Sequence, residues 1–116
     1  MGKPVVHFEV IGTDSTQLHK FYSELFDWPI QPMPEMGYGL VDKAATGTIG
    51  GGIGHSEDPQ ARGVVIYVEV DDLQAYLDKA ERMGGKTIIP VTEIPNVVTF
   101  AQFVDPQGNR IGLVKS

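Results

Sequence analysis

There is no cysteine anywhere in the 116 residues. That absence removes disulfides, thiolate metal ligands and a cysteine nucleophile together. No long apolar run occurs either. The opening MGKPVVHF is too short and too polar for a signal peptide or a spanning helix, so a cytoplasmic protein is expected. The Met-Gly start lacks a myristoylation signal, because Val6 stands where Ser or Thr is required. Basic residues are few: nine Lys and Arg against fifteen Asp and Glu, for a net charge of −6. With no basic patch, neither nucleic acid nor an anionic membrane is an expected partner, and the acidic balance leans toward cationic small molecules.

What is present is ordinary globular composition, 41% hydrophobic and 21% charged, in a length that supports one domain over 1–116 burying about two-thirds of its unfolded surface. Asp14 to Phe26 carries Leu18, Phe21, Tyr22, Leu25 and Phe26 at the offsets of one helical face, with Asp14, Ser15 and Thr16 as N-cap candidates. Asp71 to Met83 repeats the pattern with Leu73, Leu77, Ala80 and Met83, and Gly84-Gly85 supplies a C-cap. A β-rich run precedes each helix, at 4–11 and 63–70. Shorter runs follow, at 29–33, 38–42 and 47–53 and again at 86–91, 98–104 and 109–115, punctuated by MPEMG, EIPN and DPQGN.

Each half therefore reads βαβββ, with modules at about 4–54 and 63–115, an α+β class. Placing Asp14 on Asp72 gives an offset of 58 and sets His7 against Val65 and Glu9 against Tyr67; TIGG (48–51) falls on RIGL (110–113), matching Gly50 with Gly112. Strand parity puts Val6, Phe8 and Val10 under the first helix and Val5, His7 and Glu9 on the other face. In the second half Ile66, Val68 and Val70 pack, with Ile111 and Leu113, while Val65, Tyr67, Glu69, Arg110 and Gly112 face away. Ionisable groups are costly to bury unpaired, so this second face is expected to be a wet, ligand-facing concavity.

The stretches HFEVIGTDSTQLHKFYSELFDW, YVEVDDLQAYLDKAERMGGK and FVDPQGNRIGL resemble the vicinal oxygen chelate superfamily, which includes glyoxalase, bleomycin-resistance proteins and extradiol dioxygenases. The resemblance covers nearly the whole chain. It implies two βαβββ modules forming a curved sheet with a concave cleft, and a homodimer. Asp27 departs from the pattern, standing where the family usually has Gly. In metal-dependent members the ligands come from the first and last strands of each half. Here only His7 is competent, because Val65, Gly50 and Gly112 occupy the other positions. About three protein ligands are needed for a first-row ion, so no cofactor is expected. A rearranged divalent-metal set of His7, Glu9 and Glu69 is the alternative.

Other residues have plainer readings. His7 is expected to hydrogen-bond Glu9 or backbone, His55 to be a loop residue and His19 to lie on the surface. IGGGIG (49–54) lacks the Lys and the capped helix of a phosphate loop, and reads as a strand built for close approach. Trp28, Tyr38, Tyr67, Phe100 and Phe103 are aromatic candidates for ligand stacking, Tyr67 foremost because parity places it on the wet face. Glu9 is the candidate general base, with Glu69 as its paired carboxylate.

Three functions fit this pattern. The first is a small-molecule binding protein of the glyoxalase/bleomycin-resistance type with an acidic, aromatic cleft of His7, Glu9, Tyr67, Glu69 and Arg110. The second is a lyase, isomerase or dioxygenase using a metal around His7 and Glu9. The third is an interaction or subunit module whose concave face binds a protein or another copy of itself.

Overall fold

The computed structural model describes residues 2–34 and 37–116. Two residues of the MPEMG turn, Glu35 and Met36, lie outside them. The α+β class and the paired βαβββ modules are what the structure has. Val6–Val65 forms one compact unit; Ile66–Ser116, with the residues before Val6, forms a second.

In the first unit β1 (Val5–Gly12) leads into α1 (Ser15–Phe26), then β2 (Ile30–Met33), β3 (Tyr38–Val41), the short helix α2 (Lys43–Thr46) and β4 (Gly50–His55). β1 pairs in parallel with β4, β4 antiparallel with β3, and β3 antiparallel with β2. The second unit repeats this plan. β5 (Gly63–Val70), α3 (Leu73–Arg82), β6 (Lys86–Ile94), β7 (Val98–Val104) and β8 (Arg110–Lys115) follow in order. β5 pairs in parallel with β8, β8 antiparallel with β7, and β7 antiparallel with β6.

The helices start alike because the same residue starts them. Asp14 and Asp72 both have φ of −131°, and each carboxylate accepts from a backbone N–H three residues on, Gln17 and Ala75, satisfying one of the helix's orphan donors. They end differently. α3 closes in a Schellman turn, with Gly85 N–H on the Ala80 carbonyl, Gly84 N–H on that of Glu81, and Gly84 at φ of 101°. α1 closes on Asp27 at φ of 58°. That left-handed cap explains why Gly is usual there, and the departure is tolerated because Asp visits this region more readily than most residues.

The core of the second unit is Val70, Leu73, Leu77, Ala101 and Leu113, with Val68, Tyr76 and Phe103 packed on it. Ile66, expected to share this role, is exposed, and so is Met83, which caps α3 instead of lying on its face. In the first unit Phe8, Tyr22, Phe26 and Trp28 form a ring cluster with centroids 5.0–6.1 Å apart. α1 inserts Leu18 and Tyr22 but leaves Phe21, Leu25 and Phe26 about half exposed; five apolar residues span more arc than the sheet beneath covers.

His19 is not a surface residue. Its Nε2 donates to the Ile53 carbonyl at 2.8 Å, and its ring rests on Gly39, where an added Cβ would meet it at 2.7 Å. The imidazole thus ties α1 to the sheet.

Candidate functional site

β1 alternates its side chains between the two faces of the sheet. Phe8 turns toward α1, and its ring lies against Gly51 of β4, where an added Cβ would collide with it. His7 and Glu9 turn the other way. On that face the register aligns His7 with Gly50, Glu9 with Gly52, and Gly52 with Leu40, and β3 also contributes Tyr38 opposite Gly54. The glycines make room for a ring. A Cβ on Gly52 would fall on the Tyr38 hydroxyl, and one on Gly54 would lie 2.7 Å from Tyr38 Cδ1. The Gly-rich run IGGGIG is therefore a bed for Phe8 on one face and Tyr38 on the other, which is the close approach its composition predicts.

Tyr38 joins the two polar residues. Its Oη lies 3.0 Å from His7 Nε2 and donates to Glu9 Oε2 at 3.0 Å. A phenol has one proton; with its O–H donated to the carboxylate, the hydroxyl can accept from His7, an arrangement that favours the Nε2–H tautomer of a neutral imidazole. Burial pushes the His7 pKa below its usual 6.5, because a half-buried imidazolium loses hydration. From the sequence Tyr38 is only a stacking candidate. Its position opposite the alternating glycines of β4 was the signal that could have found it.

A groove of about 560 Å³ opens beside this triad. Val6, Ile30, Leu40 and Val41 give it an apolar surface, and His7, Gln31, Asp42 and Lys43 its polar points.

In the second unit the corresponding face is built differently. Tyr67, expected on a wet surface, is 5% exposed. Its ring covers Gly112, its β8 partner in the register, so that any Cβ there would collide with it, and its hydroxyl accepts from Gln102 Nε2 at 2.7 Å. Gln102 is equally buried, and among the described residues its Oε1 has no hydrogen-bond partner. An aromatic ring beside a glycine excludes water from that strand pair whatever strand parity suggests. Val65 is also buried. Glu69 and Arg110 are half-buried; the register sets Glu69 beside Val114, so the two stand four residues apart along β8, on either side of Tyr67. His55, expected in a loop, is the exposed last residue of β4, paired with Gly12 in the register and with its Nε2 2.7 Å from Glu57 Oε1.

The register also revises one equivalence. Glu9 aligns with Gly52 as Tyr67 aligns with Gly112, so the counterpart of Gly112 is Gly52, two positions beyond Gly50 on the same face.

The residues matched by a glyoxalase-like domain model are 7–114. A glyoxylase-like domain-containing protein of Didymella fabae is 33% identical over 109 residues, covering 87% of this chain and 84% of that protein. The chain belongs to the glyoxalase-like family. Proteins of Mycobacterium bovis and Mycobacterium tuberculosis described as glyoxylases are 31% identical over 107 residues, and the chain spans 41% of their length. Among solved structures, a glyoxalase/bleomycin resistance protein/dioxygenase superfamily member from Vibrio splendidus superposes with a TM-score of 0.66 at 15% identity, over 99% of this chain and 100% of that one. Methylmalonyl-CoA epimerase from Mycobacterium tuberculosis superposes with a TM-score of 0.65 at 15% identity, over 96% and 86%. These structural likenesses show the fold.

The divalent metal that this family often binds does not fit the family positions here. Val65, Gly50 and Gly112 offer no donor atom, and the space a side chain at 112 would need is filled by Tyr67. Among the described residues no three of His, Cys, Asp or Glu converge as an ion requires. His7 and Glu9 do meet, with a phenol hydroxyl between them.

Proposed function

We propose that this protein is a small-molecule binding protein of the glyoxalase/bleomycin-resistance type, whose ligand enters the groove beside His7. The observation that carries the reading is the groove itself: about 560 Å³, within the range of small-ligand sites, mostly apolar and with a few polar groups around one oriented imidazole. Glu9 and Tyr38 hold that imidazole. The ligand that matches is largely apolar or aromatic with one or two polar groups, and the net charge of −6 favours a cationic one over an anionic one. Glu69 and Arg110, half-buried in the second unit, are further candidate ligand contacts, whereas Tyr67 is buried over Gly112 and acts as packing. The homodimer implied by the family resemblance is supported by the half-exposed Phe21, Leu25 and Phe26 on α1, and light scattering tests it.

The test of binding is thermal shift with hydrophobic amines and aromatic cations, with acyl-CoA esters as the anionic contrast, since a ligand that binds only the native state raises its apparent stability. His7→Ala and Leu40→Trp, the second filling the groove, are expected to abolish the shift. A ligand shift that survives both substitutions places binding elsewhere and ends this reading.

A further inference from the structure

We propose that a second copy of this chain docks on the exposed stripe of α1, helix against helix and antiparallel about a twofold axis. The inference rests on the homodimer reading above and says which surface that dimer uses.

Three observations carry it. First, α1 is apolar beyond the face it packs. Leu18 and Tyr22 turn toward the sheet, while Phe21 and Leu25 are each more than half exposed. Residues four apart lie one above the other on a helix, so these two form a continuous ridge. Second, the charges beside that ridge are self-complementary. Lys20 Nζ lies 2.6 Å from Glu24 Oε2, and both side chains are exposed. A twofold axis at Tyr22, midway between them, sets Lys20 of each copy opposite Glu24 of the other and brings the two Phe21 rings together. Third, the backbone route to self-association is closed. β2 and β6 are the outer strands of their units, where unpaired backbone groups would otherwise template an incoming strand. Pro32 in β2 and Pro90 in β6 hold the same place in the two repeats, 58 residues apart, and neither has an N–H to offer. β2 is only four residues long, and β6 changes register on both sides of Ile89. Side-chain packing is then the way two copies meet. A helix of twelve residues is about 18 Å long. A contact confined to it is smaller than the about 800 Å² per partner of a stable complex, so the dimer is expected to dissociate in the micromolar range.

The test is sedimentation velocity on the full chain and its variants over a range of protein concentrations, with circular dichroism to confirm each fold. Unmodified protein is expected to show a reversible monomer–dimer equilibrium. Phe21→Glu is expected to weaken it about tenfold or more, as the loss of a central aromatic anchor does. Lys20→Glu and Glu24→Lys change exposed side chains and leave the core alone. Each sets like charges opposite one another and is expected to weaken the dimer about threefold or more at low salt. Mixed in equal amounts, one of these variants carries two carboxylates and the other two ammonium groups, and the pair is expected to recover the unmodified affinity as a heterodimer. A mixture that stays as weak as its components overturns the α1 arrangement. So does a dimer that survives Phe21→Glu in the folded protein. Either result leaves the homodimer reading standing, whereas an unmodified chain that is monomeric throughout overturns both. Groove ligands play no part in these readouts.

Discussion

Tyr67 lies across Gly112, with its hydroxyl 2.7 Å from Gln102 Nε2, and is among the most buried residues of its unit. This contact makes the two positions energetically one. Tyr67→Ala is expected to cost about 3–5 kcal/mol, as for other buried aromatics, and Gly112→Ala about 1–3 kcal/mol through overpacking. Urea denaturation of the double variant should show strong non-additivity, because the Gly112→Ala penalty disappears once the ring is gone. Additive costs would mean that the two do not touch in solution.

The Tyr38 hydroxyl serves two half-buried groups at once. Tyr38→Phe is expected to destabilise the fold by about 1–3 kcal/mol, the cost of removing a partner from buried polar atoms. In a Glu9→Gln background the same substitution should cost less, since no ionised carboxylate then depends on the phenol. Equal costs in both backgrounds, measured by urea unfolding, would show that the hydroxyl is not bonded to Glu9.

Burial lowers the His7 pKa below 6.5, which gives the pH dependence a sign. Between the lowered native value and 6.5 the unfolded chain binds the proton and the native one does not. Stability therefore rises with pH through that window and falls as the pH drops below about 6.5. Above about pH 7 this contribution is flat. His7→Asn should remove the part of the fall in melting temperature below about pH 6.5 that belongs to this residue. The neighbouring groups Glu9 and Tyr38 are controlled with Glu9→Gln. An unchanged profile in His7→Asn would exclude His7 as the source.

Asp27 caps α1 at φ of 58°, a conformation that costs a non-glycine residue about 1–2 kcal/mol. Asp27→Gly is therefore expected to stabilise the protein, by up to about 1 kcal/mol after the greater freedom of glycine in the unfolded chain is set against the relieved strain. A lower melting temperature in this variant would show that the Asp27 side chain contributes more than its backbone costs.

Much of the architecture was written in local chemistry. Two Asp N-caps 58 residues apart, two apolar helical stripes and a Gly-Gly stop define both helices, and alternation along VVHFEV correctly separates Phe8 from His7 and Glu9. These features involve residues close in sequence, so their geometry follows from helix and strand periods alone. The glycines of β4 announced close approach but not what approaches. That depended on the register, which brings Tyr38 over Gly52 from another strand.

The sequence by itself determined the duplicated βαβββ plan, the caps and the lack of donor atoms at Val65, Gly50 and Gly112. Tertiary structure decided that His19 anchors α1 to Ile53, that Tyr67 is interior and that Tyr38 bridges His7 and Glu9. Parity says which face a side chain leaves from, but burial depends on what lies above it. Tyr67 leaves from the face expected to be wet and is covered all the same, because Gly112 lets its ring lie flat and Gln102 gives its hydroxyl a partner.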